Sequence, residues 1–336
     1  MGITQLIRLR MKRRWRQWRA FRKRHEIRRV AGRTKAIKPS DILLFTTLRN
    51  ERVRLEYFLK YYRDQGVNHF LIVDNDSNDG SREFLAAQPD VSIWTSKASY
   101  RSSRFGVDWL NWLLRRHGHG HWCVTVDVDE FIVYPFCDSR PLRALTDWLD
   151  SSNLRTFSAM ILDMYPKGPV GGQPYRGGQN PFEVAQWFDS GNYSIHRNWS
   201  LDNLWIQGGP RMRMFFADNP EAAPALNKIP LVRWDKSFVY VDSTHMILPR
   251  GLNRVYDEWG GEKASGCLLH AKFLDTFAVK AAEEMLRGQH YAHSQEYIAY
   301  QRSLESQPDL WCKFSEKYIN WRQLEILGLM SKGNWA

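Results

Sequence analysis

The chain contains no glycine-rich phosphate loop, no paired cysteines and no long apolar run, and each absence removes a class of protein. Neither G-x-G-x-x-G nor G-x-x-x-x-G-K-[ST] occurs, which argues against a Rossmann dinucleotide enzyme and a P-loop nucleotidase. Only four cysteines are present, Cys123, Cys137, Cys267 and Cys312, all far apart and none in a C-x-x-C pair. That pattern points to reduced thiols in a cytosolic setting and away from a zinc cluster or disulfide scaffold. No run of about 18 apolar residues exists, so no transmembrane helix is expected, and the N-terminus lacks the apolar core of a signal peptide. Acidic residues are almost missing from the start of the chain: residues 1–38 hold 15 Lys/Arg and one acid, Glu26. That segment carries +14 of a net +12, leaving −2 for the rest. The excess charge belongs to an arm, and the body is near neutral.

What is present is enough chain for a large core, with 336 residues and 15 Trp. The stretch that organises it is His121-Trp122-Cys123-Val124-Thr125-Val126-Asp127-Val128-Asp129-Glu130-Phe131. An apolar, β-branched run ends in two aspartates spaced i, i+2. On a strand these would share one face while Val128 points inward. Two carboxylates at the end of a buried strand repel each other and desolvate poorly. A divalent cation holding a diphosphate would compensate them.

Read in order, the spacing predicts strand, helix, strand, helix, strand, helix, strand between residues 41 and 135. The strands are Ile42–Thr47, His69–Val73, Val91–Trp94 and the acidic strand. The helices follow Asn50 (as N-cap), Ser81 and Ser103, with Gly66 and Gly118 ending the first and third. This is the pattern of an α/β fold, a mostly parallel sheet with helices on both faces. Ligands of such sheets bind outside the carboxyl ends of the strands, where Thr47, Asn50, Glu51, Asp74, Asp127 and Asp129 collect. Four segments are expected: the arm 1–38, a strand-and-helix half 41–135, a second half of the same domain 136–274 and a helical tail 275–336. The second half begins with a helix after Pro141 and a strand Thr156–Leu162. A Gly/Pro-rich loop follows from Pro166 to Gln179, then a strand pair at Leu231–Trp234 and Phe238–Val241, and a strand Leu268–Phe273 carrying His270. The alternation His117-Gly118-His119-Gly120-His121 is explained by turn-forming glycines.

Three motifs, Thr46-Thr47-Leu48-Arg49-Asn50-Glu51, Asp74-Asn75-Asp76-Ser77-Asn78-Asp79-Gly80 and Asp127-Val128-Asp129-Glu130-Phe131, resemble in order and spacing the nucleotide-sugar half of family 2 glycosyltransferases with the GT-A fold. The likeness is closest to the bacterial branch with a DVDEF-type DxD motif. Gly208-Gly209-Pro210-Arg211, Asn227-Lys228-Ile229-Pro230 and Leu268-Leu269-His270-Ala271-Lys272 also look like that branch. The resemblance implies that Thr47 and Asp74 contact the nucleoside, Asp74 accepting the imide proton of a uracil-type base. It implies Arg104 near the base and phosphates, Asp127 near ribose and metal, Asp129 as the firmest ligand of Mn²⁺ or Mg²⁺, and His270 as a third ligand. Arg49 departs from the pattern where an aromatic is common. A UDP-sugar donor, a glycan or lipid-linked acceptor and inversion of configuration are the further expectations. The sequence does not single out the base; of Asp163, Asp189 and Asp202, an aromatic surround ranks Asp189 first.

Two other readings compete. A sugar nucleotidyltransferase shares the sheet and the metal, but normally has glycines and basic residues after its first strand, and Thr46–Glu51 holds no glycine. A nucleic-acid binder would use the basic arm. Against it, Ile3, Ile7, Met11, Trp15, Trp18 and Phe21 recur in steps of three and four, forming one apolar helical face. Such a helix suits an anionic membrane surface, engaged by residues 1–30, and makes nucleic acid an unexpected partner. The expected location is cytoplasmic, peripheral at the inner face of the membrane.

Overall fold

A computed structural model describes residues 2–241, 243–255, 263–287 and 308–335. In chain order its strands are β1 (Arg28–Ala31), β2 (Ile42–Leu48), β3 (His69–Asp74), β4 (Val91–Thr95), β5 (Trp122–Thr125), β6 (Glu130–Val133), β7 (Thr156–Asp163), β8 (Trp187–Asp189), β9 (Tyr193–Asn198), β10 (Asn203–Gly208), β11 (Asn227–Arg233), β12 (Val239–Tyr240), β13 (Ile247–Leu248), β14 (Ser265–His270) and β15 (Ser315–Lys317). The helices that position the site are α1 (Ile3–Lys23), α2 (Arg52–Asp64), α3 (Ser81–Ala87), α4 (Val107–Leu113), α5 (Leu142–Ser151), α6 (Gly209–Phe215) and α7 (Thr276–Arg287).

One sheet of nine strands runs β1-β4-β3-β2-β5-β11-β7-β14-β6. Its first half is the expected parallel core: β4, β3, β2 and β5 pair in parallel register. These strands are continuous apolar runs because both faces are covered. Leu44 and Ile72 pack with Leu55, Phe58 and Tyr62 of α2 and Leu145 of α5. On the opposite face Leu43, Phe45 and Leu71 meet Trp109 and Leu113 of α4. Beyond β5 the pairing turns mixed: β11 is antiparallel to β5 and β7, β14 is parallel to β7, and β6 is antiparallel to β14. The α/β class with helices on both faces therefore holds.

Several local expectations differ. The expected pair of Leu231–Trp234 with Phe238–Val241 does not form. β11 inserts into the main sheet, and β12 pairs with β13 instead. The basic arm is not a separate tail, since β1 adds antiparallel to β4 and satisfies an otherwise open sheet edge. The third helix starts at Val107 rather than Ser103, because Arg104, Phe105 and Gly106 all take left-handed backbone conformations with φ of 56°, 58° and 75°. A side chain at Gly106 would also put its Cβ 2.8 Å from Thr47 Oγ1. Asn50 is not the N-cap of α2. The first turn is met from outside by Asp79, whose carboxylate accepts from Arg52 N at 2.8 Å, while Asn50 sits left-handed and accepts from Asn78 N. Of the predicted helical tail, α7 and a short helix Trp321–Ile326 are helical, β15 is not, and 288–307 lies outside the described residues.

The strand into which the two aspartates were read stops at Thr125. Asp127 to Asp129 form a turn closed by Glu130 N donating to Asp127 O at 3.1 Å. The chain then re-enters the sheet as β6. Phe131, the first inward residue after the turn, is fully buried against the rings of Tyr57, Phe58, Tyr61, Tyr62 and Phe182. Tyr62 Oη donates to Glu130 O at 2.8 Å and Tyr61 Oη to Ile132 O at 2.7 Å, so α2 grips the strand by both rings and hydroxyls. Phe131→Ala should cost about 3–5 kcal/mol in urea unfolding, as a large buried aromatic leaves a cavity. A loss below 1 kcal/mol would mean that this cluster does not anchor the turn.

Candidate functional site

The site is assembled from the turn between β5 and β6, the ends of β7 and β14, the start of β11, and α6. Turn geometry separates the two aspartates. The Asp127 side chain is 56% exposed and the Asp129 side chain 22%, while Val128 is buried between them. Asp129 is held by its main chain, its carbonyl accepting from Ala271 N at 2.8 Å, so its carboxylate sits at the end of β14. There Asp129 Oδ2 lies 3.3 Å from His270 Nε2. The other ring nitrogen, Nδ1, bonds Asp163 Oδ1 at 2.7 Å, and Arg211 Nε of α6 donates to Asp163 Oδ2 at 2.7 Å. The parallel register of β14 and β7 sets His270 directly opposite Asp163. The result is a line of alternating charge, Asp129–His270–Asp163–Arg211.

This line perturbs its members strongly. Burial works against a charged ring at His270, but Asp129 and Asp163 outweigh it and raise its pKa to about 9. Burial likewise opposes the charged form of Asp163, yet Arg211 and His270 bring it down to about 2. Asp129 is driven below the ordinary carboxylate range, its burial outweighed by His270 and Arg54. Arg54 of α2 is itself buried, and it donates to Glu51 Oε2 at 3.1 Å and to Ala271 O at 3.2 Å.

A second charge cluster sits beside the first. Lys228 of β11 is buried and donates to Asp127 Oδ2 at 2.9 Å and to Glu130 Oε1 at 2.5 Å. Glu130 Oε2 accepts from Asp127 N at 3.1 Å. Burial opposes the charge on Lys228, but Asp127 and Glu130 raise its pKa above the ordinary lysine value. Of these residues Arg54 escaped the sequence reading altogether. Glu130 and Lys228 were visible only inside the DVDEF and Asn227-Lys228-Ile229-Pro230 motifs, and Asp163 only as one of three candidate bases. Their pairing had no local signal, since it is decided by elements far away in sequence.

Thr47 and Asp74, expected to contact a nucleoside, lie at the carboxyl ends of β2 and β3. Asp74 is fully buried. Its Oδ2 accepts from Ser77 N at 3.3 Å and Thr95 Oγ1 at 3.4 Å, and Oδ1 has no partner among the described residues. Burial raises its pKa, with Ser77 pulling the other way. Thr47 Oγ1, on the neighbouring strand, is also buried without a partner. Thr47, Phe105, Leu110, Asp127 and Thr244 line a cleft of about 60 Å³. Unsatisfied buried oxygens of this kind mark a place where a ligand's donors would be accepted.

The remaining expected residues are engaged elsewhere. Asn50 Nδ2 donates to Glu283 of α7 at 2.8 Å, and Glu51 pairs with Arg54 and Lys280. These two brace α7 against the sheet. The Arg104 guanidinium donates to Val241 O, tying its turn to the segment after β12. Asp189 is the clearest correction. It ends β8, is buried, and receives both Arg213 Nε at 2.8 Å and Nη2 at 3.0 Å as well as the Tyr165 hydroxyl. A carboxylate held by a guanidinium fork and a hydroxyl has three of its lone-pair sites engaged within the protein. Asp202 is held the same way by Arg197 and Arg254.

Among the described residues no group of three or more His, Cys, Asp or Glu side chains is arranged to hold a metal ion. The donor pair Asp129 and His270 nevertheless fits one. Adjacent ligands at about 2.1 Å in an octahedral shell lie about 3 Å apart, close to the observed 3.3 Å. The Asp163 carboxylate behind the imidazole is the usual support of a metal-bound histidine. A cation here would replace a proton on Nε2, so its affinity would rise with pH.

No known family's sequence profile matches the chain, and no curated protein does. Solved structures similar to it include the UTP-bound UGPase of Acinetobacter baumannii, at 10% identity and a TM-score of 0.28, covering 80% of this chain and 84% of that one. Apo UDP-glucose pyrophosphorylase gives 9% identity and a TM-score of 0.29 over 80% and 88%. A 4-diphosphocytidyl-2C-methyl-D-erythritol synthase gives 18% and 0.24 over 41% and 67%. Overlaps this partial carry no argument about chemistry.

Two outcomes test the geometry. Lys228→Met removes the cation from two carboxylates, one of them buried, and should destabilise the protein by about 3–5 kcal/mol. Adding Glu130→Gln should recover a large part of that loss, and additive losses would dissolve the cluster. The metal-free protein should also show a pH dependence set by His270. Its folded pKa lies above the free value, so its contribution is complete below about pH 6.5 and fades as pH rises through about 9. On the order of 3 kcal/mol should be lost across that window, and His270→Gln should flatten the profile. A wild-type profile that is already flat there would show that the imidazole is not held charged.

Proposed function

We propose that the chain is a metal-dependent glycosyltransferase, moving a sugar from a nucleotide sugar to a hydroxyl of a glycan or lipid-linked acceptor. The observation that carries the reading is the pairing of Asp129 with His270, braced by Asp163 and Arg211, on the same edge of the sheet as the Asp74 and Thr47 oxygens that have no partner among the described residues. Asp129 and His270 would hold Mn²⁺ or Mg²⁺, which when bound supplies Lewis-acid neutralisation of a departing diphosphate. Asp74 and Thr47 would accept donors of the base and sugar, with a UDP-sugar the favoured donor. Lys228 holds Asp127 and Glu130 fixed through turnover. Asp163, Asp189 and Asp202 are all committed to arginines, so the acceptor's proton goes to a group other than these three.

A sugar nucleotidyltransferase would place its nucleotide at the same strand ends, and its name agrees with the UGPase and pyrophosphorylase neighbours. Thr46–Glu51 remains without a glycine, and its backbone is occupied by Ser77 and Ser81 rather than open as a phosphate cradle. The two reactions differ in product. Incubation with a panel of UDP-sugars and Mn²⁺ should release UDP, and Asp129→Asn should lower that turnover at least a hundredfold, about 3 kcal/mol in the barrier. Asp163 still faces His270 in the variant, so it should fold with a lowered unfolding midpoint. Pyrophosphate released from UTP and a sugar 1-phosphate, with UDP-sugars inert, would instead select the nucleotidyltransferase.

A further inference from the structure

The basic helix α1 is docked on the body by one face and carries an unpartnered apolar stripe on the other. Ala20 is buried, Arg19 pairs at 2.8 Å with the buried Asp108 of α4, Gln17 Nε2 donates to Ser237 O at 2.7 Å, and Leu9 packs on the small cluster around β12 and β13. At 100° per residue these positions fall on the side opposite Ile7, Met11 and Trp18. The outward side chains are exposed in succession: Ile3 76%, Met11 66%, Trp15 48% and Trp18 51%. Between Ile3 and Lys23 there are nine Lys/Arg and no acid. Guanidinium groups of Arg16 and Arg19 lie over the Trp15 ring and that of Arg22 over Trp18.

We propose that α1 is an interfacial membrane helix whose outward face enters the headgroup region of an anionic bilayer while its inner face stays on α4. Charge complementarity selects this occupant. A second copy of the chain would bring nine more cations against the first nine, and an acidic protein would leave the tryptophans without an apolar phase. A bilayer takes both: tryptophan at headgroup depth and arginine on phosphate and carboxylate, each basic residue that reaches the surface adding about fivefold in partition. Docking by the opposite face means that membrane binding needs no unfolding of the arm. It also puts the surface one helix away from the cleft, since Val107 and Leu110 of α4 line that cleft. This inference rests on no assumption about the reaction.

Vesicle flotation of the full chain tests it, with phosphatidylcholine vesicles compared with vesicles containing phosphatidylglycerol. Wild type should float with the anionic vesicles, and Trp15→Ala/Trp18→Ala should weaken partition at least tenfold with an unchanged unfolding midpoint. Part of the wild-type binding should survive high salt, which screens charge but not burial of rings, and tryptophan emission should shift to shorter wavelength. Equal binding by the pair variant together with full release at high salt would overturn the proposal in favour of a simple polycation. Displacement of wild type from vesicles by single-stranded nucleic acid at equal charge would overturn it too. So would failure to float alongside a concentration-dependent dimer that the pair variant abolishes.

Discussion

Four carboxylates, those of Asp127, Asp129, Glu130 and Asp163, crowd the carboxyl end of the central sheet, and compensating them, the buried Glu130 and Asp163 above all, is the constraint around which the site is organised. An uncompensated carboxylate there would be prohibitively costly, so every one has a cationic neighbour: Lys228 for Asp127 and Glu130, His270 for Asp129, and His270 with Arg211 for Asp163. The cations come from β11, β14 and α6, which explains why the second half of the chain must fold onto the first. The switch from parallel to mixed pairing beyond β5 is what brings these three elements alongside the β5–β6 turn. A parallel continuation would have carried β11 in the other direction and placed Lys228 elsewhere.

The two sides of the site are satisfied to different degrees. On the acidic side the described groups pair with one another, and Asp129 and Asp163 favour the charged form of the His270 imidazole. At the ends of β2 and β3 Asp74 Oδ1 and Thr47 Oγ1 are buried and have no partner among the described residues. A buried polar atom without a partner costs free energy in every unliganded molecule, so these strand ends are where a ligand has most to gain. The left-handed run Arg104-Phe105-Gly106 lies over that side, and the approach of Gly106 to Thr47 leaves no room for a Cβ. Strain and unsatisfied polarity therefore meet at one place, as they tend to at working sites.

The arm shows how composition and structure divide a question. Charge asymmetry and the steps of three and four marked residues 3–23 as a basic amphipathic helix. Which face it buries followed from contacts that no local pattern contains: Arg19 with Asp108, Trp109 Nε1 with Glu26, and the ring of Phe21 edge-on to Trp112. Of the apolar residues that periodicity would assign to a core, Ile3, Ile7, Met11, Trp15 and Trp18 are left outside, while Phe21 touches the body at Trp112.

The sequence by itself determined the alternation of strand and helix from Ile42 to Thr125, the stops at Gly66 and Gly118, and the inward position of Val128, because apolar period, turn chemistry and helix ends are local properties of the chain. It also marked Asp74, Asp129 and His270, whose residue types and order are visible without coordinates. Only the tertiary structure decided that Asp127 and Asp129 sit on a turn rather than a strand, since the end of β5 depends on α2 gripping β6 through Tyr61 and Tyr62. Asp189 and Asp202 look like solvated loop acids in the sequence and become guanidinium-clamped anions because their arginines arrive from other elements. Lys228 is the sharpest case. Whether a lysine is an exposed surface residue or the buried cation between two carboxylates depends on partners about 100 residues away, and electrostatic partnership at that separation is set by chain topology, which local sequence does not encode.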